Sequence, residues 1–91
     1  MEFDWDESKR KANLQKHGID FVGIDRLFDD ETVTVLDDRF DYGEQRYVTF
    51  GMLEGRVIAV AHTETEERIR IISARKATRN EEESYYKTIR N

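Results

Sequence analysis

Apolar side chains fall into short periodic runs along this chain, and their period changes from helical to alternating near residue 32. Phe3 and Trp5 form a brief alternation, after which Asp6 is placed to accept from the free backbone N–H groups of a helix start. The pattern predicts a helix running to His17, with Gly18 as its left-handed stop. Its apolar stripe is thin. Trp5, Ala12 and Leu14 are the main apolar side chains in or beside it, so Lys9, Arg10, Lys11 and Lys16 must mostly face water or a ligand. A second helix is expected from an Asp20 cap to the Asp29-Asp30 pair. Ile19 and Ile24 would staple its start, and Phe21, Ile24, Leu27 and Phe28 would form its buried face.

Beyond residue 32 the alternation is that of strands. Residues 32–36 read as one strand and DDRFDYGE as a polar loop. QRYVTFGML and RVIAVAHT then form a hairpin through Glu54-Gly55, and a second acidic turn leads into RIRIISARKA. Val57, Ala59 and Ala61 share one face of the middle strand while Ile58 and Val60 share the other, so that strand should be covered on both sides and central. Thr78 and Glu81 make a capping box for a C-terminal helix from about Arg79 to Arg90, whose apolar edge is only Tyr85, Tyr86 and Ile89. The expected architecture is α+β: two N-terminal helices packed mainly on one face of an antiparallel sheet of about four strands, then a short C-terminal helix. A length of 91 residues with 37% apolar content suffices for one domain and one modest core, so residues 1–91 are expected to form a single unit.

Composition narrows the chemistry. With no cysteine, disulfides, thiol nucleophiles and cysteine-ligated zinc are excluded, and a cytoplasmic location is the expectation. The first residues are too polar for a secretory signal, and no apolar run approaches the roughly 18 residues of a membrane span, so no membrane role is expected. The net charge of −5 argues against a nucleic-acid partner until its distribution is considered. Residues 1–44 carry 6 basic and 13 acidic side chains, a net of −7, whereas residues 45–91 carry 9 basic and 7 acidic, a net of +2. A chain so divided can offer a basic face to RNA and an acidic face to a basic protein; a merely solvated acidic surface explains the same charges equally well.

The order of several short pieces carries a resemblance: WD followed by K, N and KHG; a helix ending in FDD; RFDYGEQRYVTFG; and RIRIISARKA leading into a Thr-capped helix. Over about residues 3–86 the chain resembles the BrnT toxins, and the resemblance implies a RelE-like fold and an endoribonuclease activity that blocks translation. It also implies neutralisation by a cognate BrnA-like antitoxin in a 2:2 complex, with DNA contacted only through the antitoxin.

Metal-independent cleavage of RNA needs a base for the 2′-hydroxyl, cations for the charge on the phosphorane, and an acid for the leaving 5′-oxygen. Cations are plentiful: Arg46, Arg70 and Arg75 come from strands, and Lys76 and Arg79 lie at the junction with the last helix. The family pattern RxISxRK falls on Arg70, Ile72, Ser73, Arg75 and Lys76. Arginine forks bind phosphate in a bidentate manner, though pairing with nearby carboxylates on a solvated face is the alternative. His62 is the candidate base or acid because imidazole titrates near neutrality, with a satisfied buried histidine as the rival reading. His17 suits the C-terminal end of the first helix, where the dipole favours a cation. Lys16 is a candidate phosphate contact or simply a solvated lysine. Tyr85 could stack on a base, as the resemblance to RelE-like toxins implies, or serve as the packing edge of its helix. Neither Asp29-Asp30 nor Asp37-Asp38 can cage a metal by itself, and the five glycines are scattered, so neither a metal nor another cofactor is expected. The competing function is a non-catalytic RNA- or protein-binding module.

Overall fold

Phe3 and Trp5 do more than precede a helix. In the computed structural model, which describes residues 1–91, they lie in β1 (Glu2–Trp5), and the chain continues through α1 (Glu7–His17), a 3₁₀ helix (Ile24–Asp29), β2 (Val33–Asp37), β3 (Arg46–Leu53), β4 (Arg56–Glu64), β5 (Arg68–Lys76) and α2 (Arg79–Arg90). The strands form one sheet in the order β1-β5-β4-β3-β2. Strand β1 runs parallel to β5, with Phe3 opposite Ile69 and Trp5 opposite Ile71, while every other pairing is antiparallel. The sheet therefore has five strands and is mixed, where alternation alone suggested about four antiparallel ones. The extra strand is short and pairs with residues 66 positions away, a contact that no local pattern announces.

Asp6 caps α1 as expected, accepting from Ser8 N at 2.9 Å and Lys9 N at 3.2 Å, and Gly18 ends the helix at φ 70°. The thin stripe has a consequence. The one buried side chain of α1 is Asn13, which does the work of a missing strand. Beyond Trp5 the edge of β5 has lost its β1 partner, and there Asn13 accepts from Ala74 N at 3.0 Å while its Nδ2 donates to Ala74 O at 2.9 Å and Ile19 O at 3.0 Å. A side-chain amide thereby satisfies a buried strand edge that would otherwise carry unpaired polar groups.

The expected second α-helix is replaced by a 3₁₀ segment. Asp20 does not cap it: its Oδ1 accepts from Val22 N at 3.0 Å, and Gly23 at φ 96° interrupts the chain before Ile24. A turn of three residues eclipses residues three apart, which presents Ile24 and Leu27 together to the sheet; both are fully buried. Leu27 approaches very closely. A Cβ added to Gly51 would stand 2.7 Å from its Cδ2, so only glycine at this point of β3 admits it.

Helices cover both sheet faces, not mainly one. On one face Ile19, Phe21, Ile24 and Leu27 pack on Ile58, Val60, Ile69, Ile71 and Ala74, with Phe3, Trp5, Phe28 and Leu53 at the rim; this is the closed face. On the other, Tyr85 of α2 packs on Val57 and Ala77, flanked by Val33, Phe50, Met52, Tyr86 and Ile89. Helix α2 covers only one end of that face, and the remainder is open. No helix is long and apolar enough to cross a membrane.

Candidate nucleic-acid interface

Strict alternation would send Arg70 and Arg75, five residues apart, to opposite faces of the sheet. A bulge prevents this. His62 pairs with Ile71 and Ala61 with Ser73, leaving Ile72 as the extra residue of β5. The alternation slips by one at that point, so Ile71 and Ala74 share the closed face while Arg70, Ser73 and Arg75 share the open one.

The registers order the open face into rows. Val33, Phe50, Ala59 and Arg75 lie level, then Val35, Val48, Ala61 and Ser73. Asp37 stands beside Arg46, and Thr63, Arg70 and Asp4 line up in turn; the Tyr47–His62 pair one step inward brings these two groups into a single row. The result is a trough. Its floor is the small, uncharged second row, and its charged walls are four residue steps apart along β3, about 13 Å. Arg46 and Arg70 belong to one wall, Arg75 and the start of α2 to the other. A groove of about 200 Å³ between Arg75, Glu81, Val48, Phe50, Asp37 and Arg39 occupies the β2 side.

Most of the guanidinium groups are already engaged. Arg75 forms a fork-to-fork pair with Glu81, Nη1 donating to Oε1 at 2.7 Å and Nη2 to Oε2 at 2.9 Å. Arg39 donates in the same bidentate way to Asp37 at 2.9 and 3.2 Å, and Tyr42 adds a donor to that carboxylate at 3.3 Å. Arg70 reaches Asp4 at 3.4 Å. Arg46 differs: its guanidinium lies 4.0 Å above the Tyr42 ring, its nearest carboxylate oxygen, on Glu44, is 3.9 Å away, and its buried Nε donates to nothing. The pairing acts on the acids as expected. The Arg75 guanidinium holds Glu81 down at about 2, helped by the N–H of Thr78, and Arg39 holds Asp37 below the usual carboxylate range.

The other candidate residues lie elsewhere. His62 is on the closed face, 1% exposed, between the rings of Phe28 and Tyr47, with its Nε2 in a 2.7 Å hydrogen bond to Thr49 Oγ1. Thr49 in turn bonds Thr34 at 2.8 Å. Burial lowers the imidazole pKa and favours the neutral ring. The sheet itself separates His62 from the arginines, and the buried Nδ1 of the ring has no hydrogen-bond partner. Tyr85 is buried under α2 with its hydroxyl donating to Glu31 O at 2.8 Å, so its ring is not presented for stacking. Lys76 is level with Ile58 and so points away from Arg75. Arg79 is exposed at the start of α2 and pairs with Glu83 at 3.5 Å. Lys16 joins Lys9 and His17 around a depression beside β5 that meets the trough floor only at Ser73.

Three participants were not expected from the sequence: Arg39, Tyr42 and the partner role of Glu81. The first two lie in the RFDYGE stretch, which reads as a polar loop because its pairing partners come from the strand before it. Glu81 was visible as a capping residue, and it keeps that role, accepting from Thr78 N at 2.9 Å; the pattern carries no sign that the same carboxylate also grips Arg75.

A family model described as the ribonuclease toxin, BrnT, of type II toxin–antitoxin systems matches residues 5–81. No curated protein matches the chain. The matched span runs from the last residue of β1 into the first turn of α2 and takes in every arginine of the trough together with Glu81. The chain therefore belongs to the BrnT family of ribonuclease toxins, whose partners in type II systems are protein antitoxins.

Proposed function

We propose that this protein is a metal-independent endoribonuclease that cleaves RNA through its own 2′-hydroxyl and so blocks translation, built as a single RelE-like domain over residues 1–91. The observation that carries this reading is the convergence of Arg46, Arg70 and Arg75, from two different strands, on one open sheet face. Arg46 makes no close carboxylate pair, its nearest being Glu44 at 3.9 Å, and Arg75 offers a fork that fits phosphate as well as carboxylate. Arg39 extends the same cationic strip. Lys16 and Arg79 are peripheral contacts for a longer RNA, whereas His62, Tyr85 and Lys76 are not part of this centre.

Neutralisation by a BrnA-like antitoxin in a 2:2 complex fits the apolar surface beside the trough. Val35 and Phe40 are 46% and 66% exposed, Leu36 is 49% exposed on the face of β2 opposite Val35, and β2 is one of the two edge strands of the sheet. A basic antitoxin segment ordering against this edge would cover both the apolar residues and the arginines, and the acidic bias of residues 1–44 would speed the encounter. Contact with DNA would be made through the antitoxin, and the pair would act in the cytoplasm. The test is incubation of purified protein with RNA in excess EDTA. Fragments are the expected result; an intact but retarded band would make the protein a binding module instead.

A further inference from the structure

The trough holds cations but no histidine, so the proton acceptor must be found among its other side chains. Two carboxylates line the groove on the β2 side, Asp37 and Glu81, and their surroundings differ. Asp37 is 5% exposed at its side chain and has both oxygens bound by Arg39, with Tyr42 on one of them. Glu81 is more open and is held asymmetrically. Its Oε1 accepts from Thr78 N as well as Arg75, while Oε2 accepts from Arg75 alone.

We propose that Glu81 is the general base of the cleavage reaction, uncovered when a substrate phosphate takes the Arg75 fork. This rests on reading the open face as a ribonuclease site. A phosphate that binds both Nη atoms of Arg75 displaces the carboxylate they now hold. The Thr78 N–H then keeps Oε1 in place, and Oε2 is left without a donor beside the bound phosphate. While paired, Glu81 is a poor base because Arg75 favours its charged form; losing that partner and gaining an anionic neighbour both raise its proton affinity. Base strength is thus acquired on substrate binding. In the step itself, Oε2 takes the 2′-hydroxyl proton and the 2′-oxygen bonds to phosphorus. The P–O5′ bond breaks with its electron pair on the 5′-oxygen, which takes a proton from water. The products are a 2′,3′-cyclic phosphate and a 5′-hydroxyl fragment, and Glu81 returns its proton to solvent.

The test compares wild type, Glu81→Gln and Thr78→Ala on total bacterial RNA in excess EDTA across pH. Glutamine keeps the capping contact and nearly the same shape, but cannot accept the proton. Wild type should lose rate as pH falls, along a limb above the roughly 4.3 of an ordinary glutamate. Glu81→Gln should cleave at least about 100-fold more slowly near neutrality and lack that limb, yet bind a 2′-deoxy oligonucleotide at least as tightly as wild type, because the neutral amide competes less with phosphate for the Arg75 fork. Thr78→Ala, which weakens the helix cap and leaves the carboxylate, should keep the limb. A Glu81→Gln protein with the wild-type rate and profile would reduce Glu81 to a tether for Arg75 and overturn the inference while leaving the ribonuclease reading intact. Wild type without any cleavage would remove both. Should Glu81→Gln not fold, the wild-type profile decides: a flat rate through the acidic range overturns the base assignment, and the limb sustains it.

Discussion

The two faces of the sheet treat polar side chains in opposite ways. On the closed face the polar groups are few, buried and bonded inward: Asn13 to the backbone of Ala74 and Ile19, and His62 to Thr49 and through it to Thr34. On the open face they are many and bonded to one another as Arg75–Glu81, Arg39–Asp37 and Arg70–Asp4, and apart from the buried Asp37 they are partly exposed. An inward bond to the backbone has no substitute, so losing it costs the fold. A surface arginine–carboxylate pair contributes little stability and can be exchanged for a phosphate. On the proposed reading, chemistry belongs on the second face and architecture on the first.

Arg75→Ala tests that division most severely. It should lower RNA cleavage by about 10²–10³-fold, roughly 3–4 kcal/mol in the transition state, while the melting temperature stays within a few degrees. Arg75→Lys should be similarly impaired, since a point charge does not reproduce the fork. A folded Arg75→Ala protein with full cleavage would break the comparison at once. Asn13→Ala is the mirror image. It strands two carbonyls and an N–H at a buried edge and should cost about 2–3 kcal/mol, lowering the melting temperature by roughly 10–20 °C, with specific activity retained below the transition. Gly51→Ala should cost about 1–2 kcal/mol by pushing Leu27 off the sheet, and calorimetry showing no loss would mean that the 3₁₀ segment has room to shift.

The smallest effect concerns His62 and has a definite sign. Because burial lowers its folded-state pKa, the unfolded chain takes up the proton first as pH falls below the ordinary value of about 6.5. Stability from this residue is therefore present at neutral pH and lost toward acid. His62→Gln should be less stable at neutral pH, retain specific activity, and show a stability gap from wild type that narrows as pH falls from about 7 to about 5. A gap constant in pH, or a loss of rate without loss of stability, would return His62 to the list of catalytic candidates.

Local patterns were sufficient wherever the cause was local. The Asp6 and Thr78 caps, the Gly18 stop, the β3–β4 hairpin and the burial of Phe21, Ile24 and Leu27 all follow from neighbours within a few residues. The burial of that apolar set was readable even though its helical pitch was not, because transfer from water depends on which residues are apolar, whereas pitch depended on Gly23 and on how near Gly51 lets the chain approach. The abundance of arginine in the second half of the chain, and its suitability for phosphate, was likewise a property of the sequence. Tertiary structure decided the rest. The parallel pairing of β1, the substitution of Asn13 for a strand partner, and the burial of His62 behind the sheet all depend on contacts between distant segments. So does the site, because one extra residue at Ile72 reverses the alternation between Arg70 and Arg75, and a register shift of one is what determines whether two arginines stand on the same face or on opposite sides of a sheet.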